Sequence, residues 1–152
     1  MSKYTHHSEF ISRTLKILNK YECNCEFEKT LFLNSCLSLL IIPQQASEHD
    51  KNLSLDGDVD YENWGIDITK IKCPSTNNYT IENIAYHFRN SLCHFRFDLM
   101  SQDTEKIEKI RISDKNKPND TENSFDLELS FSDFKKFVLK YATELKKQLA
   151  SL

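Results

Sequence analysis

Asn83, His87, Asn90 and His94 fall on one side of the segment IENIAYHFRNSLCHF, residues 81–95, whose other side is apolar. At about 100° per residue on a helix, Ile81, Ile84, Ala85, Phe88, Leu92 and Phe95 form a stripe wide enough to face a core. The four polar residues cluster opposite that stripe, and Arg89 lies on the flank. A core needs none of them. Asn90 and His94 are one turn apart, so the amide can hydrogen-bond beside the imidazole and fix its orientation or tautomer. An imidazole takes up and releases protons near neutrality. A guanidinium at position 89 supplies a fixed cation and a planar fork suited to phosphate.

A proton carrier, an orienting amide and an anion clamp suit phosphodiester cleavage in RNA without a metal. The ribose 2′-hydroxyl must lose a proton, the leaving 5′-oxygen must gain one, and charge on the phosphorane oxygens must be stabilised. One histidine cannot do both proton jobs at once. Two copies related by a twofold axis divide them, so a homodimer built on this helix is expected. His87 either assists catalysis, binds substrate or holds the partner subunit by a hydrogen bond. Arg96, just beyond the line, is a candidate contact for phosphate backbone. Tyr86 and Cys93 are expected to pack at the flanks of the helix.

The remaining elements have to hold this face. Phe10, Ile11, Thr14, Leu15, Leu18 and Tyr21 recur at three- and four-residue steps, which predicts an amphipathic helix over residues 8–22. Residues 26–42 are apolar almost all round and read as a central buried helix, stopped at Ile42 by Pro43. Residues 43–79 are polar and acidic and read as a surface insert, pinned by Trp64, Ile66, Ile68 and Ile71. Within it, Asp56, Asp58 and Asp60 alternate like calcium ligands. Tyr61 stands where the turn glycine belongs, and Asp67 where a bidentate glutamate is needed, so a solvated acidic loop is expected. Thr80 is placed to cap the helix over 81–95. Residues 106–113 and 124–130 alternate with period two and flank the turn-rich DKNKPNDTEN, predicting a hairpin within 104–130. Ser130 and Asp133 form a capping box for a last helix over 131–149, with Phe134, Phe137, Val138, Tyr141, Ala142, Leu145 and Leu149 as its stripe. The fold class is mainly α with a β-hairpin, in a single domain over 1–152.

Bulk properties narrow the function classes. With 152 residues, 39% hydrophobic and 28% charged, the chain suits one ordinary core. The net charge of −3 gives no global basic footprint, so any contact with RNA is local. Two glycines exclude a glycine-rich phosphate loop. Five cysteines, an odd number without a C-x-x-C pair, read as reduced thiols, and the spacing of Cys23 and Cys25 does not fit a zinc site. The longest apolar run, LFLNSCLSLLII, is too short to cross a bilayer, and the N-terminus has no signal-peptide core. A cytoplasmic location without membrane contact is expected.

RNSLCH, residues 89–94, resembles the R-N-x-x-x-H signature of the HEPN superfamily of helical-bundle proteins. The buried helix ending in IIPQQ, the polar insert, the motif helix, and the hairpin with its final helix resemble a branch of small stand-alone members. The resemblance implies an antiparallel bundle of about four helices and a metal-independent endoribonuclease of toxin or defence type. It implies a composite site at a homodimer interface, no cofactor, a cyclic phosphate product, and an antitoxin or defence-system partner. Arg89 would clamp the scissile phosphate, Asn90 position it or the histidine, and His94 act as acid or base. Phe95 stands where many such motifs carry a small residue, and the H-x-Y extension of some toxins is absent. The alternative is a non-catalytic HEPN-like module that dimerises and binds a nucleotide or protein.

Overall fold

Thr80 and Ser130 decide where two of the helices begin. In the computed structural model, which describes residues 7–21, 28–49, 59–72, 79–101 and 107–150, Thr80 Oγ1 accepts the Asn83 N–H at 3.2 Å. Ser130 Oγ accepts the Asp133 N–H at 3.0 Å and donates to the Asp133 carboxylate at 2.7 Å. Each hydroxyl satisfies a first-turn donor that has no partner inside the helix. The order is α1 (His7–Tyr21), α2 (Glu28–His49), α3 (Ile81–Cys93), β1 (Phe97–Met100), β2 (Lys109–Asp114), β3 (Phe125–Ser130) and α4 (Phe131–Ala150). Among the described residues, four helices and a small antiparallel sheet ahead of the last one make the α+β fold that the sequence predicts.

The chain divides into two compact units. The first comprises Met1–Leu55 and Val138–Leu152. In it α1 packs on α2, with Ile11, Thr14 and Leu18 inward from α1 and Phe32, Cys36, Leu39 and Leu40 from α2. Val138, Tyr141, Ala142 and Leu145 of α4 are buried as their stripe requires. Phe10 and Leu15 are only half-buried. α2 differs from the sequence reading at its end: it continues through Pro43 to His49. Proline removes one N–H from the helical ladder, and a long helix with turns on both sides survives that loss.

The second unit is Asp56–Phe137. β2 is central in the order β1-β2-β3, so the expected hairpin gains an edge strand. Phe97 pairs with Ile112, and Asp114 with Phe125. Alternation puts Ile110 and Ile112 on the face that packs against α3. Phe88 lies at the centre, its ring 4.8 Å from Phe137, 5.6 Å from Phe134 and 6.3 Å from Phe125. Trp64 and Ile66 pin the segment before α3, as expected, whereas Ile68 is exposed. The Tyr61 hydroxyl donates to the Tyr79 carbonyl and ties that segment to the start of α3. Of the calcium-like aspartates, Asp56 and Asp58 lie outside the described residues; Asp67 caps a short 3-10 turn by accepting the Thr69 N–H at 3.1 Å.

Gly65 adopts φ 74°, and a Cβ there would sit 2.7 Å from the Asp133 carbonyl oxygen, so the first turn of α4 approaches closely because no side chain intervenes. α3 ends two residues earlier than predicted. Phe95, expected on the core face, is 85% exposed with φ 53°. The helix stops because the chain must turn into β1.

Candidate active site

The polar line of α3 meets the end of β2. Ser91 is fully buried and donates to the Ser113 carbonyl at 2.6 Å, and Ser113 N–H donates to the Arg96 carbonyl at 3.0 Å. These ties bring Asp114 against α3 one residue later in the strand. Its side chain is 3% exposed. Oδ2 accepts from His87 Nδ1 at 2.9 Å and from Asn90 Nδ2 at 3.2 Å. Oδ1 accepts from an Arg96 guanidinium nitrogen at 3.2 Å and from the Lys115 N–H at 2.8 Å. A buried carboxylate is costly unless its lone pairs are satisfied. Burial pushes the Asp114 carboxyl up, but hydrogen bonds from His87, the Lys115 backbone and Asn90 outweigh it and hold it below its ordinary value.

An ionised carboxylate only accepts, so His87 carries its proton on Nδ1. Its ring lies flat on Phe125 with centroids 4.5 Å apart, and Tyr86 stands edge-on to it at 5.7 Å. His87, Asn90, His94, Arg96 and Asp114 line one cleft of about 280 Å³, with Tyr86, Lys115, Asn116 and Pro118 completing its wall. That volume suits a phosphate and part of a nucleotide. Among the described residues no group of three or more His, Cys, Asp or Glu side chains is disposed to hold a metal ion. A larger groove of about 610 Å³ carries Lys70, Lys72, Lys109 and Arg111; Glu128 and Asp126 pair with the last two at 2.9 and 2.5 Å, and Asp133 also lines it.

The residues singled out in the sequence separate in an informative way. His87, Asn90, His94 and Arg96 converge on the cleft. Arg89 does not line it; its guanidinium lies 5.5 Å from the centre of the Tyr86 ring. Asn90, expected to brace His94, donates to Asp114 instead. His94 is the C-cap of α3, its N–H bonded to the Asn90 carbonyl at 3.0 Å, and its exposed imidazole has no hydrogen-bond partner among the described residues. Tyr86 and Cys93, expected to pack at the helix flanks, are exposed. Asn83 is exposed at the far end of α3 and outside the cleft.

Asp114 is the site residue that the sequence reading missed, because it opens the polar run taken as a turn. A signal existed: Ile110, Ile112 and Asp114 share one face by period two, which puts a carboxylate on the inward side of a strand end.

A family model described as HEPN pEK499 p136 matches residues 1–151 of the chain. No curated protein and no solved structure matches it.

Proposed function

We infer, because the chain belongs to the HEPN pEK499 p136 family, that it is a metal-independent endoribonuclease of toxin or defence type. It cleaves RNA by attack of the ribose 2′-hydroxyl on the adjacent phosphate. The observation that carries this reading is the cleft in which two imidazoles, an amide and a guanidinium converge. The one carboxylate among the described lining residues, Asp114, is saturated by four donors, so the chemistry runs on imidazoles and cations. Arg96 uses one of its five donors on Asp114 and keeps others for a phosphate.

The site is composite in this reading. A homodimer related by a twofold axis sets two such clefts face to face, and Arg89, standing outside its own cleft, reaches the scissile phosphate in the other. The remaining partners are RNA and an antitoxin or other defence-system component, with no cofactor and no membrane. Among the described residues no helix is long and apolar enough to cross a membrane.

The test is cleavage of a mixed RNA substrate in EDTA by wild type, His94→Ala and Arg89→Ala, all checked for equal folding. Cleavage by wild type alone, leaving cyclic phosphate ends, supports the enzyme. Equal cleavage by all three, or none by any, overturns it in favour of a HEPN-like dimerisation and binding module.

A further inference from the structure

We propose that His87, oriented by Asp114, is the general base of the cleft, and that His94 of the same protomer is the general acid. The inference rests on the ribonuclease reading and changes its division of labour. A partner subunit is no longer needed for the second imidazole, and Arg89 becomes what it contributes.

Three observations carry the assignment. Nδ1 of His87 is committed to a buried carboxylate at 2.9 Å, so the neutral ring has its lone pair on Nε2. Nε2 has no hydrogen-bond partner among the described residues, and the ring that carries it lines the cleft. The stacked Phe125 ring and the hydrogen bond to Asp114 together fix where Nε2 points. This is the arrangement a base requires: a bare nitrogen held in place by a third group.

His94 is built differently. It sits seven residues further along α3, about 10 Å of helical rise away, which leaves room for a phosphate and its ribose between the two rings. It is exposed and unbraced, so it can exchange protons with solvent between turnovers.

The step balances as follows. The 2′-hydroxyl proton passes to His87 Nε2 while the 2′-oxygen bonds to phosphorus. The bond from phosphorus to the 5′-oxygen breaks, and that oxygen takes a proton from protonated His94. The products are a 2′,3′-cyclic phosphate and a free 5′-hydroxyl. His87 then loses its proton to solvent and His94 regains one. Asp114 never touches substrate and is a positioning residue.

A substrate whose leaving group needs no proton separates the two roles. Wild type, His87→Gln, His94→Gln and Asp114→Asn are compared on RNA and on uridine 3′-(4-nitrophenyl phosphate). Loss of either proton group slows RNA cleavage by about 10²–10⁴-fold. On the nitrophenyl substrate His94→Gln recovers to within tenfold of wild type, whereas His87→Gln and Asp114→Asn stay impaired. Full activity of His87→Gln on RNA, or recovery by His87→Gln and not His94→Gln, overturns the assignment. So does cleavage restored by mixing His87→Gln with His94→Gln, which puts the two rings in different protomers. If wild type cleaves neither substrate, the ribonuclease reading itself fails and takes this inference with it. Long-range ¹H–¹⁵N spectra of wild type need no variant: the neutral His87 ring is expected as the Nδ1–H form, and an Nε2–H form refutes the orientation.

Discussion

Replacing Asp114 by asparagine keeps its shape and reverses its electrostatics. The carboxylate accepts four hydrogen bonds, two at each oxygen. In asparagine one of those atoms becomes an NH₂ that faces two donors, either His87 and Asn90 or Arg96 and the Lys115 N–H. A hydrogen bond to a charged group contributes about 1.5–3 kcal/mol, and an unsatisfied buried donor costs about 1–3. The side chains of His87 and Arg96 are 13% and 21% exposed, so both can turn partly to water, which holds the total well under the sum. The expected loss is about 2–4 kcal/mol at pH 7, read as a fall in urea midpoint at unchanged slope. The pH dependence gives a second check. The folded carboxyl titrates below its ordinary value of 3.8, so its stabilisation is complete above that value and lost as pH falls through the folded one. The gap between wild type and Asp114→Asn therefore narrows in acid, below about pH 4. A gap under about 0.5 kcal/mol at pH 7, the size of an ordinary surface change, or one that does not vary with pH, refutes the account of Asp114 as the charged centre of the site.

Three further outcomes follow from particular residues. Gly65→Ala meets the Asp133 carbonyl oxygen at 2.7 Å and a left-handed backbone, so it destabilises the protein by at least about 1–2 kcal/mol in the same unfolding assay. Phe95→Gly relieves a left-handed phenylalanine and forfeits almost no burial; after glycine's entropic cost it stabilises by about 0.5–1 kcal/mol. Under native alkylation followed by peptide mapping, Cys93 is labelled promptly, whereas Cys36, whose thiol is pushed up by burial, is protected until the protein unfolds.

Much of this could be read in the sequence because it is written in short-range periodicity. The stripes of α1, α3 and α4 follow from three- and four-residue spacing, and Thr80 and Ser130 mark helix starts by local chemistry. The hairpin follows from alternation on both sides of a polar turn. What could not be read depends on contacts between elements. β1 has four residues, too few to establish a period, and none of them is buried; its pairing with β2 makes it a strand. Pro43 reads as a stop because its local penalty is visible and the length of the helix around it is not. Of the polar line on α3, the wheel showed the shared face of His87, Asn90 and His94. It could not show which way Arg89 leans, or that Asn90 answers to a residue 24 positions downstream.

The end of α3 explains why the motif residues divide as they do. Arg96 N–H donates to the Ser91 carbonyl at 2.8 Å and Phe95 N–H to the Leu92 carbonyl at 3.3 Å, the paired bonds that close a helix through a left-handed residue. Glycine is the usual occupant of that position, yet here phenylalanine holds it. The reason lies downstream: β1 must begin at Phe97 to pair with Ile112, and Ser113 N–H already holds the Arg96 carbonyl. Three residues must therefore reverse the chain between Cys93 and Phe97, and no right-handed backbone does so while keeping both bonds. The reversal sends two neighbouring functional groups different ways. His94, before the turn, stays at the open end of the helix; Arg96, after it, folds back to the carboxylate of Asp114. The first side chain has no hydrogen-bond partner among the described residues, and the second is fixed against the buried carboxylate. Both follow from where β2 puts Ser113 and Asp114.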